Sequence, residues 1–271
     1  MNTTKYSVLI RTFNSEKVLP LTLEMLGKQT RPPSEYIFVD SGSTDSTLSI
    51  LPCGSKIHRY LGSEFNFSQA INQGLEFVST DYVLILSSHT SLCKFDAIEF
   101  AIAILNSDER IGAAYFDNEV SEELRYKLID RFNFDGYNGL WNPCSIIRMS
   151  LLRRRAFIPE VFSAEDQEWA KWLFFSEGKA TARISGAGMN NSTRNSHLAK
   201  HSLLKRLNEH VAIAYFVNRK LLDWPNLARV AYRIVKPVPR LELRERFFNL
   251  ILLWRLLNCL FISPKYKSKY F

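Results

Sequence analysis

The chain has 271 residues and a mass of 31.4 kDa, with 46% hydrophobic and 23% charged residues; this composition fits a folded globular protein and excludes a disordered or collagen-like one. A net charge of +8 and a pI near 9.3 favour an anionic partner, whether a phosphorylated ligand, an anionic membrane surface or a nucleic acid. The four cysteines, Cys53, Cys93, Cys144 and Cys259, show no C-x-x-C spacing, which argues against a zinc site or disulfide framework and for free thiols in a reducing compartment.

The chain opens on a strand, Ser7-Val-Leu-Ile-Arg-Thr12, with no basic segment leading into an apolar one, so a cytoplasmic protein without a secretory signal is expected. A helix entered through Ser15-Glu16 carries Leu19, Leu23 and Leu26 on one face, and Pro32 and Pro33 lie past its end. The next strand, Tyr36-Ile-Phe-Val-Asp40, runs from apolar residues into an acid and then into the turn residues Ser41-Gly-Ser-Thr-Asp45. A short helix near residues 45–51, a strand near 56–60 and a helix near 68–78 follow. The strand Tyr82-Val-Leu-Ile-Leu86 then runs into Ser87-Ser88-His89-Thr90. A helix near 95–105 and a strand over Ile111–Phe116 complete the series.

Strands alternating with helices at this interval predict an α/β fold with a mainly parallel sheet and right-handed crossovers. Three of the strands end in polar residues, and ligands of open α/β sheets bind at the carboxyl ends of the strands. One site is therefore expected where Thr12-Phe13-Asn14, Asp40 and Ser87-Ser88-His89 meet.

Residues 117–138 are strongly charged and lose the pattern; they are read as an excursion that shapes a second substrate site. A helix over 165–175 and a strand over 179–185 follow. Ser163-Ala-Glu-Asp166 has the spacing of a capping box, with Ser163 as N-cap. Past residue 198 the chain is helical and basic. Its last apolar run, Phe247 to Ile262, is too short and too interrupted by Arg255 to span a bilayer. Flanked by Arg240, Arg244, Arg246, Lys265, Lys267 and Lys269, it either docks on the core or lies in a membrane interface.

In this order the motifs resemble the family 2 glycosyltransferases. The resemblance is carried by Ser7–Asn14, Phe38–Asp45, Phe65–Gly74, Tyr82–Thr90, Asn142-Pro-Cys-Ser145 and Ala164-Glu-Asp-Gln-Glu-Trp169, across roughly residues 5–200. Within the family it is nearest to bacterial surface-polysaccharide enzymes of the rhamnosyltransferase type. It implies a GT-A, Rossmann-like domain over residues 1–200 with a basic helical extension over 201–271. The implied activity is inverting hexosyl or deoxyhexosyl transfer from a UDP or dTDP sugar to a hydroxyl of a bacterial surface glycan or its lipid-linked precursor.

The resemblance also implies roles. Asp40 accepts the N3–H of the base, Phe13 stacks on it, and Thr12 and Asn14 line the same pocket. Asn66 and Asn72 approach the nucleotide, Asp166 is the general base, and Glu165 contacts the acceptor or orients the loop. Turn and cap chemistry supply rival readings: Asp40 capping its turn and Ser68 capping its helix. Where the family carries an Asp-x-Asp motif, this chain has Ser87-Ser88-His89. Three consequences stay open. His89, with His197, binds a divalent cation, Mn²⁺ more readily than Mg²⁺; or His89 as imidazolium, or Arg and Lys nearby, stabilises the diphosphate without metal; or activity is lost and a nucleotide-sugar-binding or membrane-scaffold protein remains. No zinc-finger, RNP-type or KH-type signature supports a nucleic-acid partner.

Overall fold

The computed structural model describes residues 4–61, 64–191, 199–235 and 243–265. Period-two alternation builds its sheet. In β1 (Tyr6–Thr12), Tyr6, Val8 and Ile10 pack on one side and Leu9 on the other. In β2 (Glu35–Asp40), Phe38 opposes Ile37 and Val39, and in β4 (Tyr82–Ser87), Leu84 and Leu86 oppose Val83 and Ile85. Both faces are covered, which is why these strands read as continuous apolar runs.

The seven-stranded sheet has the order β3 (Lys56–Arg59), β2, β1, β4, β7 (Cys144–Arg148), β6 (Ile111–Ile129), β8 (Ala180–Ala187). The first four strands are mutually parallel, β7 runs antiparallel to both its neighbours, and β6 enters parallel to β8. The expected mainly parallel sheet is thus present with one reversed strand. A ribbon of β5 (Thr90–Leu92) and β9 (Met189–Asn191) sits beside it.

Helices α1 (Leu19–Gly27) and α3 (Ala97–Ser107) cover one face through Leu19, Leu26, Ile98, Ile102 and Leu105. Helices α2 (Phe67–Leu75), α4 (Met149–Arg154) and α5 (Glu165–Phe175) cover the other through Ala70, Ile71, Leu151, Trp169 and Leu173. The contact of α2 with β1 is tight enough to need a glycine: a Cβ on Gly74 would lie 2.6 Å from Leu9 Cδ1.

Local chemistry departs from expectation at three starts. The turn at Ser15 precedes α1 proper, and its carbonyl accepts the Val18 and Leu19 amides. Asn66, and not Ser68, caps α2, its Oδ1 accepting Gln69 N–H at 3.0 Å. Ser163 does not cap α5; that helix starts from Ala164 in the left-handed region at φ 62° with no side-chain cap. The charged excursion is also more regular than its sequence. β6 continues through it, crosses the end of β8, and returns along it from Arg125, opposite Ser185, to Ile129, opposite Thr181.

Helices α6 (Ala199–Ala212), α7 (Trp224–Val235) and α8 (Leu243–Asn258) form a third apolar cluster with Leu207, Val211, Leu227, Phe248 and Leu252. Phe162 and Ala164, from the loop before α5, belong to that cluster, which packs these helices on the loop that leads into α5. Among the described residues no helix is long and apolar enough to cross a membrane.

Candidate active site

The strand ends converge as their register requires. Thr12 lies opposite Asp40, and Arg11 opposite Ser87. Above them opens a cleft of about 820 Å³, within the size range of small-molecule sites. Arg11, Thr12, Phe13, Ser41, Ser87, Ser88 and His89 form one wall, and Asn142, Glu165 and Asp166 form another. Lys205 and Glu209 of α6 close it. Aromatic lining comes from Phe65, Phe67, Tyr115, Tyr137 and Trp141.

Glu165 and Asp166 open α5 at the cleft, and one residue clamps both. Asn142 donates its backbone N–H to Asp166 Oδ2 at 3.2 Å and its Nδ2 to Glu165 Oε1 at 3.2 Å. Ser145 Oγ in turn donates to Asn142 Oδ1 at 3.0 Å. Gln167 ties the same helix end to the loop before Asn142, accepting Gly139 N–H at 2.8 Å and donating to the Leu140 carbonyl. Burial, then the charge of Glu165, raises the Asp166 carboxyl well above the usual carboxylate range. Burial and Glu165 also raise Glu209, against the pull of Lys205.

Cations oppose these acids. Arg11 projects from β1, its Nη2 3.4 Å from Ser87 Oγ and its guanidinium 5.1 Å from the centre of the Phe67 ring. Burial lowers its pKa, while Glu165 and Asp166 hold it up. Its Nε is buried without a hydrogen-bond partner, a donor left for something the cleft receives. The His89 imidazole is pushed down to about 4 by burial and by the charges of Arg11 and Lys205. It is therefore neutral at pH 7, and the expected imidazolium does not form there.

The expected site residues divide into three sets. Thr12, Phe13, His89, Glu165 and Asp166 line the cleft together. Asp40, 2% exposed, lies just behind it. Its Oδ1 accepts Thr12 Oγ1 at 3.0 Å and Ser43 Oγ at 2.5 Å, and its Oδ2 accepts Gly42 N–H at 3.0 Å and Ser43 N–H at 2.9 Å. Four donors fill both oxygens, so in this arrangement Asp40 organises its own turn.

Asn14, Asn66 and Asn72 do not line the cleft. Asn14, at φ 44°, accepts Thr44 N–H at 2.9 Å and fixes the turn after β2. Asn72 is bidentate to the main chain of Phe157, and Asn66 Nδ2 donates to Pro159 O at 2.8 Å. These two amides hold the segment that leads into Glu165 and Asp166. His197 lies outside the described residues.

Sequence reasoning missed Arg11, Asn142, Lys205 and Glu209. The signal for Asn142 was its place at the head of Asn142-Pro-Cys-Ser145. Arg11 was visible as the one charge inside an apolar strand. The excursion enters the site at its two ends, through Asp117 and through Tyr137 and Asn138. Asp117 Oδ2 accepts Arg183 Nε at 2.9 Å and Ser185 Oγ at 2.6 Å, joining β8 to the cleft rim.

Among the described residues a metal fits here in one way. Among the described residues no group of three or more His, Cys, Asp or Glu side chains could hold an ion. His89 is one neutral nitrogen donor beside two cations, so among the described residues the further ligands would be oxygens of the bound molecule. Imidazole with phosphate oxygens suits Mn²⁺ better than Mg²⁺.

A doubly covered, mainly parallel sheet with an acid pair facing cations at its carboxyl edge is an α/β architecture of the GT-A type. Residues 7–158 match Glycosyl transferase family 2, and the chain belongs to that family. A PGL/p-HBAD biosynthesis glycosyltransferase of Mycobacterium bovis (strain BCG / Pasteur 1173P2) is 28% identical over 117 residues, 41% of this chain and 46% of the relative; the match thus spans about half the length of that protein. The fold is similar to S. aureus TarS 1–349 in complex with UDP, with a TM-score of 0.61 and 20% identity over 94% of this chain and 81% of that one. It is also similar to a mannosyltransferase from Pyrobaculum calidifontis in complex with GDP-Man and Mn²⁺, with a TM-score of 0.59 and 18% identity over 95% and 75% of the two chains.

Proposed function

We propose that the cleft transfers a sugar, with inversion, from a UDP or dTDP donor to a hydroxyl of a bacterial surface glycan or its lipid-linked precursor. The observation that carries this reading is the acid pair Glu165–Asp166, clamped by Asn142 and set opposite Arg11 and Lys205. Inverting transfer needs one base and one electrophilic anchor on opposite sides of the anomeric carbon. Asp166 takes the proton of the acceptor hydroxyl as its oxygen bonds to that carbon. The bond from the carbon to the diphosphate breaks, and the electron pair leaves with the diphosphate. Arg11 and Lys205 meet that growing charge, and the unpartnered Arg11 Nε gains an oxygen.

Glu165 keeps the Asp166 carboxyl basic through its charge and faces the acceptor. The base lies at the β1–β2 end, between Phe13 and Thr12. Asp40 accepts its N3–H in exchange for one of the two side-chain hydroxyls, Thr12 and Ser43, that otherwise donate to its Oδ1. Asn14, Asn66 and Asn72 act as positioning residues. His89 and the donor's own diphosphate would hold a divalent cation, Mn²⁺ in preference to Mg²⁺, which adds positive charge at the leaving group. The similar mannosyltransferase with GDP-Man and Mn²⁺ supports that use of a cation.

The test is calorimetric titration of UDP and dTDP into metal-stripped protein and into His89→Ala, with and without Mn²⁺. Micromolar binding, strengthened by Mn²⁺ only when His89 is present, is the expected result. No binding of either nucleotide by the wild type would remove the donor assignment.

A further inference from the structure

Helix α8 is apolar on two opposite faces. Phe248, Leu252, Leu256 and Cys259 are buried against the third cluster. Leu243, Phe247, Leu250, Trp254 and Leu257 recur at spacings of four and three on the other side, which makes a second continuous stripe. All five are exposed, Leu243 at 86% and Trp254 at 63%. Leu260, Phe261 and Ile262 extend the apolar surface past the helix end and are exposed as well. The adjoining α7 presents Trp224, at 77%, with Tyr232 and Val235 on its own outer side. A patch of this kind on a folded protein marks an interaction surface.

Charge identifies what covers it. Residues 219–271 contain twelve Lys and Arg against three Asp and Glu, whereas residues 1–218 contain 23 against 24. The whole positive excess of the chain therefore sits in the segment that carries the stripe. Exposed Arg219, Lys220, Arg229, Arg233, Arg244 and Lys265 belong to it. A second copy of this chain would bring the same excess against itself across a two-fold contact. An anionic bilayer matches both properties, since apolar side chains enter the acyl boundary and cations stay among the phosphates.

We propose that the outer face of α7 and α8 docks the protein on an anionic lipid surface, with the Leu243–Leu257 stripe lying in the membrane interface. The stripe and its cations are separate from the cleft and take no part in the transfer chemistry. Each cation brought near an anionic surface strengthens association by roughly fivefold, so the dependence on lipid charge and salt should be steep.

The experiment is co-sedimentation of the full chain with phosphatidylcholine vesicles, pure or containing about one-third phosphatidylglycerol. Tryptophan quenching by brominated lipid is read in parallel. We expect binding at least about tenfold tighter to the anionic vesicles, quenching of the exposed tryptophans, and loss of both in Phe247→Glu/Trp254→Glu with nucleotide affinity unchanged. Leu250→Ser, a milder change at an exposed position, should weaken binding without altering the melting temperature. Equal affinity for neutral vesicles would overturn the proposal, as would anionic binding without quenching. A dimer by sedimentation velocity that these substitutions dissociate would overturn it in favour of a self-association face.

Discussion

At Asp166, burial and the neighbouring Glu165 charge both favour the protonated carboxyl. A base with a raised pKa is inactive until the pH passes that value, so the acid limb of kcat/KM should lie above the ordinary carboxylate pKa of about 4. Glu165→Gln removes the repulsion and should move that limb to lower pH; a limb that stays in place in the pH–rate profile would show that Glu165 does not set it. The same shift bears on stability. Because the folded pKa is raised above the unfolded one, the native state binds this proton more readily, and its stability falls as the pH rises through that interval. Asp166→Asn should therefore melt higher than wild type at pH 8, with the gap closing in acid, as scanning calorimetry can read. Arg11→Met should weaken UDP by about 1.5–3 kcal/mol, the worth of a charged hydrogen bond, which titration calorimetry measures. Asp166 was legible from its motif. Its clamp was not, because Asn142 lies 24 residues away in sequence and only the packing of β7 against β4 brings it there.

At the scale of elements, the acid pair depends on how α5 begins. Ala164 takes a left-handed backbone at φ 62°, a conformation that costs an L-residue about 1–2 kcal/mol. Its carbonyl accepts Glu168 N–H at 3.1 Å, and its side chain is buried in the third cluster. The Ser163–Asp166 capping-box spacing predicted a different entry, and the helix bounds came out right while the cap did not. Capping-box geometry needs an extended residue at the N-cap, and tertiary packing of Phe162 and Ala164 sets the backbone otherwise. Upstream, Asn72 holds Phe157 by both amide atoms. Asn72→Ala should cost about 1–3 kcal/mol of stability and lower kcat while leaving nucleotide affinity near wild type; a large rise in Kd for UDP would mean that Asn72 touches the nucleotide instead. The strand–helix alternation of the first 120 residues was legible because both faces of the sheet are covered. The return of β6 along β8 was not, since its charged residues face outward at a sheet edge.

For the whole molecule, helix α6 of the C-terminal segment is part of the cleft. Lys205 and Glu209 line it, and Lys171 Nζ donates to Phe216 O at 3.1 Å, tying α5 to the turn after α6. Composition marked this region as basic and helical, yet nothing local could show that α6 closes a site opened by β1. A chain ending at residue 198 should lose UDP binding and cooperative melting; retention of both by calorimetry would make 199–271 an independent appendage. The most direct test of sugar transfer by Asp166 is donor hydrolysis, in which water takes the place of the acceptor. UDP-, dTDP- and GDP-sugars would be incubated with wild type and Asp166→Asn, and nucleoside diphosphate release measured. We expect slow release by the wild type from a UDP or dTDP sugar, reduced about 10²–10⁴-fold in the variant while its nucleotide affinity is retained. Release at the wild-type rate from Asp166→Asn would contradict the assignment.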